Sequence, residues 1–196
     1  MFPPSCALLV MLVALAPALP ASATEPFDSL EVGVLGVADV GSSEYHDYWQ
    51  QGRGAELFAQ TPFYSGSMRL GLRYLINDSQ PDQTVPDSKS IYIYLGWSMF
   101  EYEIWREHLI AELGLGVGMN QWRFSADPSQ TGNENEMEAA TEVYGRARYI
   151  FAQRWSLNTS VRYQTLYTRR SINTVFVTLG LSRAFSMPGW LKGFLE

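Results

Sequence analysis

The sequence predicts an all-β chain: an eight-stranded antiparallel up-and-down barrel with a short C-terminal tail. Three observations carry that prediction. From Asn173 to Phe185 the chain alternates, with Val175, Val177, Leu179, Leu181 and Phe185 on one face and Thr174, Phe176, Thr178, Gly180, Ser182 and Ala184 on the other. A period of two is the mark of a strand whose faces meet different surroundings. The pattern recurs upstream, and its connections alternate between brief and long. Charged residues within the strands fall opposite the apolar stripe.

The chain has 196 residues and a net charge of −6, which fits one domain and argues against a nucleic-acid partner. Residues 1–23 read as a secretory signal peptide, with the apolar run Ala7 to Ala16 and the small-x-small site Ala21-Ser22-Ala23. The sole cysteine, Cys6, lies inside that segment, so a mature chain has neither disulfide nor thiol chemistry. No later stretch reaches the roughly 18–20 apolar residues of a membrane helix. The remainder divides into a barrel over 24–185 and a tail over 186–196.

The first strand spans Leu30 to Gly41, with Leu30, Val32, Val34, Ala38 and Val40 opposite Glu31 and Asp39. A polar, aromatic loop leads to a short second strand, Ala55 to Thr61, and a tight turn from Pro62 to Gly66. The third strand, Ser67 to Asn77, sets Met68, Leu70, Leu72, Tyr74 and Ile76 against Arg69, Gly71 and Arg73. After a Pro/Asp/Ser-rich loop the fourth runs from Ser90 to Tyr102, with a short link near Trp105. The fifth, Leu109 to Trp122, alternates Leu113, Leu115 and Val117 with Glu112, Gly114, Gly116 and Gly118. An acidic loop, Phe124 to Glu138, precedes the sixth, Ala139 to Phe151. The turn Ala152-Gln153-Arg154 leads to the seventh, Trp155 to Thr168, and a short loop to the eighth.

Glu31, Asp39, Glu56, Arg69, Arg73, Glu112, Glu142, Arg146, Arg148 and Arg162 all lie opposite the apolar stripe. A soluble lipocalin-like barrel would turn the apolar face inward; a membrane barrel turns it out, since a basic residue facing mid-bilayer costs roughly 2–4 kcal/mol. Three features favour the membrane form. Aromatic residues Trp97, Tyr149, Phe151, Trp155, Tyr163 and Tyr167 lie on the apolar face, several near strand ends, as interfacial girdles require. Glycines 33, 71, 96, 114, 116, 118, 145 and 180 are assigned to the opposite face, where a narrow interior needs room. The five acids and five bases there balance as salt bridges.

With these residues the chain resembles the small eight-stranded outer-membrane barrels of Gram-negative bacteria, the class containing OmpA's membrane domain, OmpX and OmpW. Thr178, Gly180 and Phe185 resemble that class's C-terminal assembly signal, though Arg183 stands where an apolar residue is preferred and eleven residues follow Phe185. The resemblance implies periplasmic termini, a lumen filled by side chains, contact with outer-membrane lipids and lipopolysaccharide, and passage through the barrel-assembly machinery. The implied role is structural or surface-interacting. An OmpW-like conduit for small hydrophobic molecules is the transport alternative.

A third alternative is enzymatic. Some barrels of this architecture modify lipid A, acyltransferases with a loop histidine and an Asp-Ser pair and deacylases with a wall His-x-Ser and a glutamate, and no wall His-x-Ser occurs here. Here His46 would act as general base toward a serine of Asp78-Ser79 or Asp87-Ser88. The flanking residues do not match, and surface-loop and turn chemistry accounts for both segments. His108 reads as interfacial, and the two histidines form no transition-metal site. Asp127, Glu134, Glu136 and Glu138 give an acidic outer loop without the spacing of a calcium loop. No cofactor is implied. In the tail, Trp190, Leu191, Phe194 and Leu195 suggest one side of a short interfacial helix.

Overall fold

A computed structural model describes residues 26–41, 44–64, 66–82, 85–105, 108–125, 135–168 and 171–195. The segment read as a signal peptide, residues 1–23, and Asp127 and Glu134 lie outside them. Eight strands follow one another: β1 (Ser29–Asp39), β2 (Arg53–Phe63), β3 (Gly66–Asn77), β4 (Ser88–Trp105), β5 (Leu109–Phe124), β6 (Asn135–Ala152), β7 (Trp155–Leu166) and β8 (Ile172–Ser186). Each pairs antiparallel with its chain neighbour, and β8 returns to β1. That seam runs from Ser29↔Ser186 to Asp39↔Phe176, so no sheet edge is left open. A short helix, α1 (Gly189–Leu195), ends the chain.

Alternation within each strand sets the two surfaces. The burial of β7 is strictly periodic, with Ser156, Asn158, Ser160, Arg162 and Gln164 inside and Leu157, Val161 and Tyr163 outside. The outward set is apolar and exposed all round the wall: Leu70 is 58 % exposed, Val117 59 %, Val161 57 % and Leu179 58 %. Soluble monomers rarely expose apolar patches above a few hundred Å². The inward set includes Glu31, Asp39, Glu56, Arg69, Arg73, Glu112, Glu142, Arg146, Arg148 and Arg162, whereas Arg53, Lys89, Arg123 and Arg183 face outward near the strand ends. The soluble arrangement, with the apolar stripe lining a cavity, is therefore overturned.

Strands outrun the sequence expectation at several ends. β2 continues through Pro62 and Phe63, which pair with Ser67 and Gly66. β4 reaches Trp105 across register shifts between Ser98 and Phe100 and between Glu103 and Trp105. β6 starts at Asn135, so Glu136 and Glu138 stand on a strand, not in a loop. Gly145 faces outward, between Val143 and Ala147, and not into the lumen; Leu113 is the side chain beside it. A one-residue parity error moves a side chain to the other face.

The brief connections, after β2, β4 and β6, share one rim. The longer ones, after β1, β3 and β5, share the other, where a 3-10 turn (Glu44–Asp47) and a β-bridge between Trp49 and Ser79 tie the first two loops together. Gln50 N donates to Asp78 O at 2.8 Å and Gln80 N to Tyr48 O at 2.9 Å.

Candidate functional site: the charged lumen

Most of the buried charged side chains among the described residues gather in the lumen. At mid-height β2 and β3 present Glu56 and Arg73 as direct cross-strand neighbours. The opposite wall presents Glu142 on β6 and Arg162 on β7. Arg73 Nε donates to Glu56 Oε2 at 3.1 Å, and its Nη2 crosses the lumen to Glu142 Oε2 at 3.0 Å. Arg162 mirrors this, with Nη1 donating to Glu142 Oε1 at 3.0 Å and Nη2 crossing to Glu56 Oε1 at 2.9 Å. All four side chains are 0 % exposed. Each carboxylate accepts from both arginines, so the quartet is a closed ring that bridges the barrel twice. Charge-assisted bonds of this geometry are the strong class, and only such pairing offsets the cost of burying four charges.

Tyr94 completes the ring. Its hydroxyl donates to Glu56 Oε1 at 2.7 Å and accepts from Arg162 Nη1 at 2.9 Å. Gly71 makes room for it: a Cβ there would lie 2.2 Å from the Tyr94 ring. Arg69 lies nearer the short-turn rim. Its Nη1 is 3.8 Å from Glu56, its Nε donates to Gln60 Oε1 at 3.0 Å, and its guanidinium sits 3.9 Å above the Phe58 ring.

A second ionic group fills the lumen toward the short-turn rim. Arg146 bonds both carboxylate oxygens of Glu112. Arg148 Nη1 donates to Glu31 Oε2 at 2.8 Å, and its Nε is 3.6 Å from Glu112 Oε1. Asp39 stands apart at the long-loop rim, where its carboxylate lies 3.3 Å from His46 Nε2 and accepts from Gly41 N at 2.9 Å.

Sequence parity brought these ten charges to one side of the wall, but several partners had no charge to mark them. Tyr92 and Tyr94 stack at 5.2 Å and pack with Trp122, Ala140 and Leu166 above the ring. Val37, Leu75 and Phe176 form another apolar group inside. The lumen is thus ionic below and aromatic above, not uniformly polar. Tyr94 carries no charge to mark it, although alternation along β4 sets it on the lumen side with Tyr92, Gly96 and Ser98.

The serines considered with His46 are engaged elsewhere. Ser79 Oγ donates to Asp87 Oδ1 at 2.9 Å, and Ser88 Oγ accepts from Asn77 at 3.3 Å. Among the described residues no group of three or more His, Cys, Asp or Glu is placed to hold a metal. Of the residues that resemble an assembly signal, Thr178 points inward and shares a 2.6 Å hydrogen bond with Ser160, Gly180 packs on the Val34 carbonyl, and Phe185 points outward. Arg183, also outward, stacks over Trp155 at 5.4 Å and Phe185 at 5.2 Å, which lets a cation occupy an apolar position.

No protein-family model matches the chain, and no curated protein matches it. Solved structures do. Neisserial surface protein A aligns over 80 % of this chain and 96 % of its own, at 12 % identity and a TM-score of 0.61. A major outer membrane protein from Thermus thermophilus aligns over 80 % and 99 %, at 12 % identity and 0.56. Ail, the attachment invasion locus protein of Yersinia pestis, in complex with the heparin analogue sucrose octasulfate, aligns over 83 % and 100 %, at 15 % identity and 0.54. The chain therefore has the fold of the small eight-stranded outer-membrane barrels.

Proposed function

We propose that this protein is a non-enzymatic outer-membrane barrel with a structural or surface-interaction role, its lumen closed by the paired charges. The single observation that carries the reading is the ring of Glu56, Arg73, Glu142 and Arg162, fully buried and tied across the barrel at 2.9–3.1 Å. A conduit needs an open path, and this ring spans it. Above the ring, the cavity lined by Asp39, Tyr92, Asn120, Trp122, Gln164 and Thr174 measures about 10 Å³, the room of one water molecule. Among the described residues every neighbouring strand pair is hydrogen-bonded, which speaks against a lateral exit.

In this reading the long loops face outward, both termini lie in the periplasm, and Thr178, Gly180 and Phe185 engage the barrel-assembly machinery. Outer-membrane lipid and lipopolysaccharide surround the apolar wall. Trp105, Tyr149, Phe151, Trp155 and Phe185 at the short-turn rim support the membrane placement, as do Trp190 and Phe194, which are 77 % and 81 % exposed on α1. The surface role is in keeping with the name of Ail, an attachment protein of the same fold.

The test is fractionation followed by gel migration with and without boiling. Recovery in the outer membrane, with mobility that changes on boiling, is the expected result. Release in soluble form without detergent, with no heat shift, would overturn the reading.

A further inference from the structure

We propose that the outward face of β4 and β5, where the apolar wall ends at the long-loop rim, binds the phosphate of a lipid headgroup between Lys89 and Arg123, with Arg53 as an outlying contact. The register puts these residues in one row. Arg53 on β2 pairs with Ile76 on β3, Ile76 with Lys89 on β4, and Lys89 with Arg123 on β5. All four are exposed and share the parity of the apolar outer face. Lys89 and Arg123 are therefore direct cross-strand neighbours, with side chains starting about 4.5–5.5 Å apart on the same face.

Like charges so placed repel, and sheets normally avoid the arrangement. No ion pair among the described residues joins either side chain to an acid, and neither side chain makes a hydrogen bond there. The nearby acids are turned to other work. Asp87 accepts from both the amide and the hydroxyl of Ser79, at 2.8 and 2.9 Å. Asp78 lies 3.9 Å from Arg53, in a pair exposed on both sides. Glu136 and Glu138 pair with Trp122 and Asn120, whose side chains point inward, so both acids carry lumen parity and stand on the other face of the sheet. The outward neighbour of Arg123 on β6 is the neutral Asn135.

The surroundings select the anion. Along the strands below the row the outward positions turn apolar, with Leu57, Leu72, Ile93 and Met119 all exposed. An anion that reaches Lys89 and Arg123 from outside shares that boundary with hydrocarbon, as a lipid phosphate does and a free ion does not. The long stems of both residues lie along apolar surface while their heads reach polar ground. A guanidinium supplies a two-pronged donor for phosphate and an ammonium a compact charge, and at a membrane boundary both are screened less than in bulk water. On the rest of this rim the described outward residues include Val40, Met137, Thr165, Tyr167 and Asn173, with no Lys or Arg among them.

This inference rests on the membrane reading above, and the experiment separates the two. The full barrel is reconstituted in phosphatidylcholine nanodiscs and titrated with diphosphoryl lipid A and with lipid A stripped of its phosphates. The variant is Lys89→Gln/Arg123→Gln, with Arg183→Gln at the opposite rim as control. Loss of two charge-assisted contacts weakens binding of the phosphorylated lipid by about ten-fold or more. The control and the dephosphorylated lipid show no such difference, and millimolar inorganic phosphate does not displace the lipid. In lipid-free detergent the double variant keeps its heat-dependent migration and unfolds no earlier than the parent, because a repulsion has been removed. Equal binding by parent and double variant, equal binding of the two lipids, or displacement by inorganic phosphate would each overturn the site. Loss of the heat shift in the parent itself would instead overturn the membrane reading.

Discussion

Glu56 is the residue on which most of the interior depends. It accepts from Arg73, Arg162 and Tyr94, and Arg69 lies 3.8 Å away. Glu56→Gln leaves those three arginines with Glu142 as the remaining carboxylate of the central group. Breaking a buried pair by removing one partner costs about 3–5 kcal/mol, because the surviving charge stays buried. Urea unfolding in detergent, followed by tryptophan fluorescence, should show a loss of that order, whereas Glu136→Gln, at the exposed start of β6, should stay within about 0.5 kcal/mol. Equal midpoints for parent and Glu56→Gln would mean that the ring contributes nothing to stability. The inward parity of Glu56, Arg73, Glu142 and Arg162 was legible because strand alternation is local. Their pairing was not, because Arg73 and Glu142 are 69 residues apart and meet only through closure of the barrel. Gly145 shows the reverse failure: a residue without a side chain carries no parity signal of its own.

At the scale of elements, strand cores were legible and strand ends were not, for a physical reason. Alternation records a difference between two faces, and over Asn135, Glu136 and Glu138 polar residues stand on both faces of β6. Asn135, Glu136 and Glu138 therefore read as loop although β6 pairs there with Arg123, Trp122 and Asn120. The loops themselves are held by polar contacts that follow no period. In the second long connection the Asp87 carboxylate accepts from the Ser79 amide, then from its hydroxyl, and those bonds hold its pKa below the ordinary aspartate value. Because the folded group is the more acidic, the clasp contributes fully at neutral pH and is lost as pH falls through the depressed folded value. The Ser79 amide resonance should shift with that titration, and Asp87→Asn should remove the shift. A Ser79 amide that does not respond to pH in the parent would contradict the clasp.

At the scale of the whole molecule, closure and filling are separate properties of the same eight strands. Closure satisfies every strand edge, which a wall facing hydrocarbon requires because lipid offers no hydrogen bonds. Filling follows from the narrow interior of an eight-stranded barrel, wide enough for side chains and little else. Here the filling comes in layers: the Glu31–Arg148 and Glu112–Arg146 pairs, the quartet with Tyr94, then Tyr92, Trp122 and Leu166. Any ion crossing the lumen must displace a charged layer held from both walls and then an aromatic one. The purified parent should therefore show no discrete conductance steps in planar bilayers. Arg73→Ala/Arg162→Ala removes both cross-lumen ties together with two of the largest fully buried side chains. Provided that variant still changes mobility on boiling, it should conduct or leak where the parent does not. Stepwise conductance in the parent would show that the layers yield under an applied field, and the chain would then have to be read as a channel whose gate is the Glu56–Arg162 and Arg73–Glu142 bridges.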